Sequence, residues 1–400
     1  LVQKSAHFRP KNLAKKQAKT AKTLCTFAPW RLCVKNQPFF RRVFTMFKKF
    51  TFILSLILAM AILAACTSAG DAPTEANKSA DHSKPVNLIL GAYTTPREAY
   101  GKLIPIFKAE WQQKTGQEVT FEESYLGSGA QSRAIVEGFE ADVTALSLEA
   151  DINRIEKANL ITHNWRAVGA KGMVSTSIVV FGVRKGNPLG IKDWADLAKP
   201  GLEILTPNPK TSGGAMWNIL ALYGAAKRGF VTGVPKNDDV AAQAFLQAVI
   251  NNVKVMDKGA RESITNYEQG VGQVIITYEN EILVGQQGGQ DYEMVIPRST
   301  ILIENPIAVV DIYADKHATR EVAEAFVNFL FTRPAQEIFA EYGLRSVDPA
   351  VAKATADRYP AVADLFTIDY FGGWAKATPE FFGETGIYNQ VIAGVQGLPQ

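Results

Sequence analysis

Cysteine is almost missing from this chain. The 400 residues hold three, Cys25, Cys33 and Cys66, and none follows residue 66. That excludes disulfides and thiolate metal sites from the remaining length. The roughly 315 residues left for a folded domain must be held by an apolar core, and that length suffices for one. Histidine is scarce as well. Of four, only His163 and His317 lie well inside that region, and neither stands in a recognisable catalytic or metal-binding pattern. Residues 1–65 contain no Asp or Glu but thirteen Lys and Arg, which leaves 30 basic against 39 acidic residues in 66–400. The overall charge of +4 becomes −9 there. The basic balance therefore reflects the first segment and gives no reason to expect a nucleic-acid partner. A Gly-x-x-x-x-Gly-Lys-Ser/Thr run is absent, as is any fixed-period repeat.

What the chain does have begins with an export pattern. Lys48 and Lys49 precede the apolar run Phe50–Ile62, which is too short to favour a spanning helix. Leu63-Ala64-Ala65-Cys66 follows and resembles a lipobox, with Cys66 as the lipidated first residue of a mature protein. A signal peptide over 46–65 predicts Met46 as the true start and 1–45 as a non-native upstream segment. Residues 66–85 are small and polar and read as a flexible tether, His82 included.

From Val86 short apolar runs alternate with helical spacings. Val86–Ala92, Val119–Ser124 and Ala141–Leu148 read as strands, and helices are expected between and after them, the first capped by Thr95 and kinked at Pro105. Further strands are expected at Thr176–Arg184, Leu202–Leu205, Val253–Met256, Val274–Tyr278, Tyr292–Ile296 and Ile307–Val310. This alternation argues an α/β fold with mostly parallel sheets.

One stretch stands out. Thr206-Pro207-Asn208-Pro209-Lys210-Thr211-Ser212-Gly213-Gly214-Ala215 leads straight into a helix. The first turn of a helix has unpartnered N–H groups and the positive end of the dipole, and glycines let an anion come close. A plain capped helix is the simpler reading, since Ser is a common cap. Similar small-residue junctions occur at Thr94/Thr95, Ser128/Gly129 and Gly259/Ala260. Ligands of open α/β sheets bind beyond the carboxyl ends of strands, so these loops are candidates to share one cleft.

The order and spacing of YTTPRE (93–98), GSGAQ (127–131), EADV (140–143), VRKGNP (183–188), TPNPKTSGGA (206–215), GAR (259–261), YENE (278–281) and LFTIDYFGGWAK (365–376) resemble those of the sulfate-binding proteins of bacterial ABC transport, and are similar to their thiosulfate-binding relatives. The resemblance spans about 86–374. It implies a two-lobed periplasmic-binding-protein fold of type II, with 86–170 and 277–345 as one lobe, 171–276 as the other, and 346–400 as a helical segment packed on them. It implies a monomeric, non-enzymatic receptor without cofactor or metal, placed in the periplasm, that passes sulfate to a permease and ATPase on other chains. Carried over residue by residue, the contacts are Thr94, Ser128, Ser212, Gly213, Gly214, Ala260 and, where the family has an indole donor, Tyr278. Arg97, Arg133 and Arg261 are expected to brace loops through carboxylates such as Glu98, Glu140 or Asp142, and no carboxylate is expected beside the anion. Trp217 and Trp374 are expected to pack. Two other readings stay open: thiosulfate or another tetrahedral oxyanion as ligand, and an exported ester hydrolase using Ser128 or Ser212, for which a base is lacking.

Overall fold

The computed structural model describes residues 82–394. The signal-like segment, Cys66 and most of the expected tether lie outside them. Among the described residues no helix is long and apolar enough to cross a membrane. The tether reading ends at His82, which is not loose: it meets the Trp111 ring edge-on at 5.7 Å and its Nε2 lies 3.0 Å from Glu321.

The first run of elements is β1 (Val86–Tyr93), α1 (Arg97–Thr115), β2 (Val119–Leu126), α2 (Ser128–Val136), β3 (Val143–Ala145) and α3 (Glu149–Lys157). α1 forms because Tyr100, Leu103, Ile104, Phe107 and Trp111 share one buried face, and it stops at Gly116, whose φ of 77° suits glycine. Pro105 is accommodated within this continuous helix. Thr95 does not cap it: Pro96 holds the capping position with no side-chain cap bond. Val119, Phe121 and their neighbours on β2 pair in parallel with β1, which also pairs in parallel with β3.

A long strand, β4 (Met173–Val183), leads out of this region. It is followed by β5 (Ile204–Pro207), α4 (Gly213–Lys227), α5 (Asp239–Ile250), β6 (Val253–Asp257), α6 (Ala260–Glu268), β7 (Val274–Tyr278), α7 (Glu279–Gln287) and β8 (Glu293–Val295). β5 pairs in parallel with both β6 and β7, while β7 and β8 pair antiparallel with the far half of β4, Val179–Val183. The chain returns through β9 (Ser299–Val309). Its middle, Leu302–Pro306, pairs with the near half of β4, and its end, Ile307–Val309, pairs with β3. The strand order is β2-β1-β3-β9-β4-β7-β5-β6. β4 and β9 thus serve both halves of the sheet as paired crossing strands, the two-lobed arrangement that the motifs imply.

Two boundaries differ from the sequence reading. The return was expected at residue 277, but β7 and β8 both pair with β4, so the crossing is β9. β9 itself starts eight residues before the expected Ile307. Pro306 is tolerated there since it faces Met173 at an irregularity in the ladder.

Each half has its own core. Leu88, Leu90, Phe107, Phe326 and Phe339 belong to the first. Phe181, Trp194, Trp217, Leu220 and Phe371 belong to the second. α4 is apolar on every side and buried along almost its whole length. The C-terminal aromatics cover it: Trp374 meets Trp217 at 4.7 Å and Phe381 meets Tyr223 at 5.0 Å. Trp217 and Trp374 therefore pack, as expected from the sequence.

Candidate functional site

Five junctions lie at the carboxyl ends of β1, β2, β5, β6 and β7. β1 and β2 belong to the first half and β5, β6 and β7 to the second, and the two sets meet. The backbone of Gly127 passes so near Thr211 and Lys258 that a Cβ there would stand 2.7 and 2.8 Å from their carbonyl oxygens. The N–H of Ala130 donates to the Thr211 carbonyl at 3.2 Å. Only glycine permits this approach.

The residues singled out from the sequence come together here. A Cβ on Gly259, beside Ala260, would lie 3.7 Å from the Thr94 hydroxyl. The Ser128 hydroxyl accepts from the Ser147 N–H at 3.0 Å, and Ser147 Oγ lies 2.6 Å from the Tyr278 hydroxyl. A Cβ on Gly213 would fall 2.7 Å from that same Ser147 Oγ, and one on Gly214 would fall 2.5 Å from the Tyr278 ring. Ser212 caps α4, its hydroxyl accepting from the Ala215 N–H at 3.4 Å. Thr94, Ser128, Ser212, Ala260 and Tyr278 are all buried. Tyr278 and Tyr93 stand with ring centres 6.2 Å apart, and burial holds both phenols well above their ordinary pKa, so both are neutral hydrogen-bonding groups. The N-termini of α2, α4 and α6 converge on this region with glycine or serine as their capping residues. Such a set of N–H groups and hydroxyls suits a small anion.

The arginines differ among themselves. Arg261 bridges the halves: it bonds Glu98 at the start of α1, Glu281 Oε2 at 2.9 Å and the Thr95 carbonyl at 3.3 Å. Burial opposes ionisation of Glu98, but Arg261 outweighs it and lowers the Glu98 pKa. Glu98 is one of the carboxylates named for the arginines from the sequence. Arg97 instead lies exposed over the Tyr125 ring at 4.6 Å. Arg133 makes no ion pair among the described residues, since Glu140 pairs with Lys316 and His317, and Asp142 with His317. For Arg97 and Arg133 the expected carboxylate bracing is absent among the described residues.

A second expectation fails more usefully. The region does contain a carboxylate: Asp151 is 1% exposed, accepts the Ser128 hydroxyl at 2.6 Å and is neutralised by Arg154 Nη1 at 2.7 Å. Asp151 and Ser147 were missed because both lie at the β3–α3 junction. The expected strand there ran on to Leu148, which hid a sixth small-residue junction. Glu279 and Glu281, which superficially resemble an acid pair, are each bound to an arginine, Arg345 and Arg261 respectively. Burial raises the pKa of both.

Nucleophilic chemistry has no support in the geometry. Ser128 faces a carboxylate and Ser212 a backbone N–H. His163 is bound to Asp311 and His317 to Asp142 and Glu140. No group of His, Cys, Asp and Glu among the described residues is arranged to hold a metal ion.

Residues 89–345 match the family model of the bacterial extracellular solute-binding proteins. The chain belongs to that family. It is 44% identical over 349 residues to a sulfate-binding protein of Synechococcus elongatus, covering 87% of this chain and 97% of the relative. A thiosulfate-binding protein of Escherichia coli K12 is 33% identical over 321 residues, covering 78% of this chain and 93% of that one. Among solved structures, the sulfate-binding protein SubI of Mycobacterium tuberculosis H37Rv superposes with a TM-score of 0.68 at 39% identity, covering 74% of this chain and 99% of that one. As a family member, this chain sits among proteins that bind solutes outside the cell, and its crossing strands and opposed helix N-termini fit that class.

Proposed function

We propose that this chain is an extracytoplasmic receptor that captures sulfate between its two halves and delivers it to an ABC-type permease and ATPase on other chains. The observation that carries the reading is the meeting of five strand–helix junctions from both halves around uncharged donors. Thr94, Ser128, Ser212, Gly213, Gly214, Ala260 and Tyr278 supply the contacts, and Arg261 holds the halves together around them. The protein acts in the periplasm as a monomer, tethered through a lipid on Cys66.

Sulfate is fully ionised at neutral pH and only accepts hydrogen bonds. A protonated phosphate brings an O–H that needs an acceptor, and the buried carboxylate beside Ser128, Asp151, is already engaged by Ser128 and Arg154. Leaving such a group unpaired costs roughly 1–3 kcal/mol, about ten- to a hundredfold in affinity. The −9 balance of residues 66–400 opposes long-range attraction of a dianion, so affinity must come from short-range donors.

Titration calorimetry with sulfate, thiosulfate, molybdate and phosphate tests the reading. Sulfate is expected to bind tightest, with phosphate weaker by at least about tenfold. No heat and no rise in melting temperature with sulfate would sink it. Tighter binding of thiosulfate would shift the ligand to that anion, in line with the thiosulfate-binding relative.

A further inference from the structure

The hydroxyls of Ser147 and Tyr278 lie 2.6 Å apart, each on a residue 1% exposed. Among the described residues neither oxygen has another hydrogen-bond partner. Two hydroxyls carry two protons, and the bond between them uses one. The second proton has no acceptor, and a buried unused donor is costly. Its place is defined by the neighbours. Ser147 Oγ is 2.7 Å from where a Cβ on Gly213 would stand, and the Tyr278 hydroxyl is 3.1 Å from the same point on Gly214. The surplus donor therefore sits at the first turn of α4, beside backbone N–H groups that have no partner inside the helix.

Ser128 is in the opposite position. Its one hydroxyl proton goes to Asp151, and its oxygen accepts from the Ser147 N–H. That hydroxyl has nothing left to give an anion, whereas its backbone N–H does. The Ser147 carbonyl is also fixed, accepting from Trp217 Nε1 at 2.9 Å and from Asn305 Nδ2 at 3.1 Å. Asn305 lies on the crossing strand β9, so the residue is held from both halves of the sheet.

We propose that Ser147 and Tyr278 work as a single two-hydroxyl donor that gives the oxyanion at the start of α4 a hydroxyl hydrogen bond. This rests on the reading that the anion binds there. One hydroxyl polarises the other, which strengthens the outgoing bond. Tyr278 alone, reading from the sequence, had to replace an indole from a different place; paired with Ser147 it need not reach the anion itself. Ser147 thereby becomes a ligand-binding residue that the motif carry-over did not include.

The test is a double-mutant cycle of Ser147→Ala and Tyr278→Phe, read by sulfate calorimetry at neutral pH, with Gly213→Val beside it. The double variant is expected to bind sulfate at least about tenfold more weakly than the parent, as for a lost hydrogen bond to a charged group. It should lose no more than about threefold beyond the weaker single, because the two groups act as a unit. Either single leaves one hydroxyl, and the larger loss marks the oxygen that faces the anion. Removing both partners of a buried bond is close to neutral for stability, so the sulfate-free melting temperature should stay near the parent's. A double variant that binds within about threefold of the parent, while Gly213→Val has lost binding, overturns the pair but leaves the site. Gly213→Val binding as the parent does overturns the site and the pair with it.

Discussion

Gly213→Val is expected to weaken sulfate binding by at least about a hundredfold, on the order of 3 kcal/mol. Two effects add. The new Cβ would stand 2.7 Å from Ser147 Oγ and 2.8 Å from Ser147 Cβ, with Leu148 Cδ2 at 2.9 Å. Ser147 is pinned through its N–H and its carbonyl, so it cannot give way cheaply. The valine must move α4's first turn instead, and that shifts the N–H groups out of register with the opposing loops. The branched side chain also covers the backbone an anion would approach. Gly213→Ala should fall between, since it has the Cβ clash without the two methyl groups. Calorimetry measures the affinity, and the melting temperature without sulfate separates lost binding from lost folding. A valine variant that binds within threefold of the parent would place the anion elsewhere.

Why this glycine was legible in the sequence is a matter of locality. Ser212-Gly213-Gly214 before an apolar helical run states its own geometry, because a cap, a helix start and the absence of Cβ atoms are properties of neighbouring residues. The same holds for Gly259-Ala260 and for the β1 and β2 junctions. The element order was legible too, since strand and helix spacings persist over eight or more residues. Tyr278 closing against Gly214, by contrast, needed the sheet order that sets β7 next to β5.

The misses are non-local. Asp151 meets Ser128 across 23 positions and Ser147 meets Tyr278 across 131, distances over which no spacing rule operates. The Arg261 partner Glu98 was legible as a candidate only because the resemblance gathered the loops first. For Arg133 the same reasoning offered Glu140 and Asp142. His317 and Lys316, nearly two hundred residues on, had already taken them. The placing of the crossing strand is non-local in the same way. A chain that crosses between halves in an 11-residue strand shows no break at the crossing.

Arg345→Met is expected to destabilise the fold by about 3 kcal/mol, because breaking one side of a buried ion pair strands the other. Glu279 has a fully buried side chain, and Arg345 holds both its oxygens, at 2.6 and 2.9 Å. The pair is structural and close to the site. Glu279 begins α7 directly after Tyr278, while the Arg345 backbone exchanges two hydrogen bonds with Thr176 on β4. The sign of the pH dependence follows from Glu279. Burial already raises its carboxyl pKa, with Arg345 pulling the other way. Without Arg345 the pKa rises further. A carboxyl whose folded pKa exceeds its unfolded value gives stability that is present below the unfolded pKa and lost as pH rises through the folded one. The deficit of the variant relative to the parent should therefore be large at pH 7.5 and shrink on acidification toward pH 5, as Glu279 becomes neutral. Denaturant melts of parent and variant at both pH values measure it. Glu279→Gln combined with Arg345→Met should recover most of the loss at pH 7.5, since it removes the stranded charge. A deficit that is the same at both pH values and is not relieved by the second substitution would assign Arg345's contribution to its packing over Tyr359, 5.5 Å away, and not to the charge it neutralises.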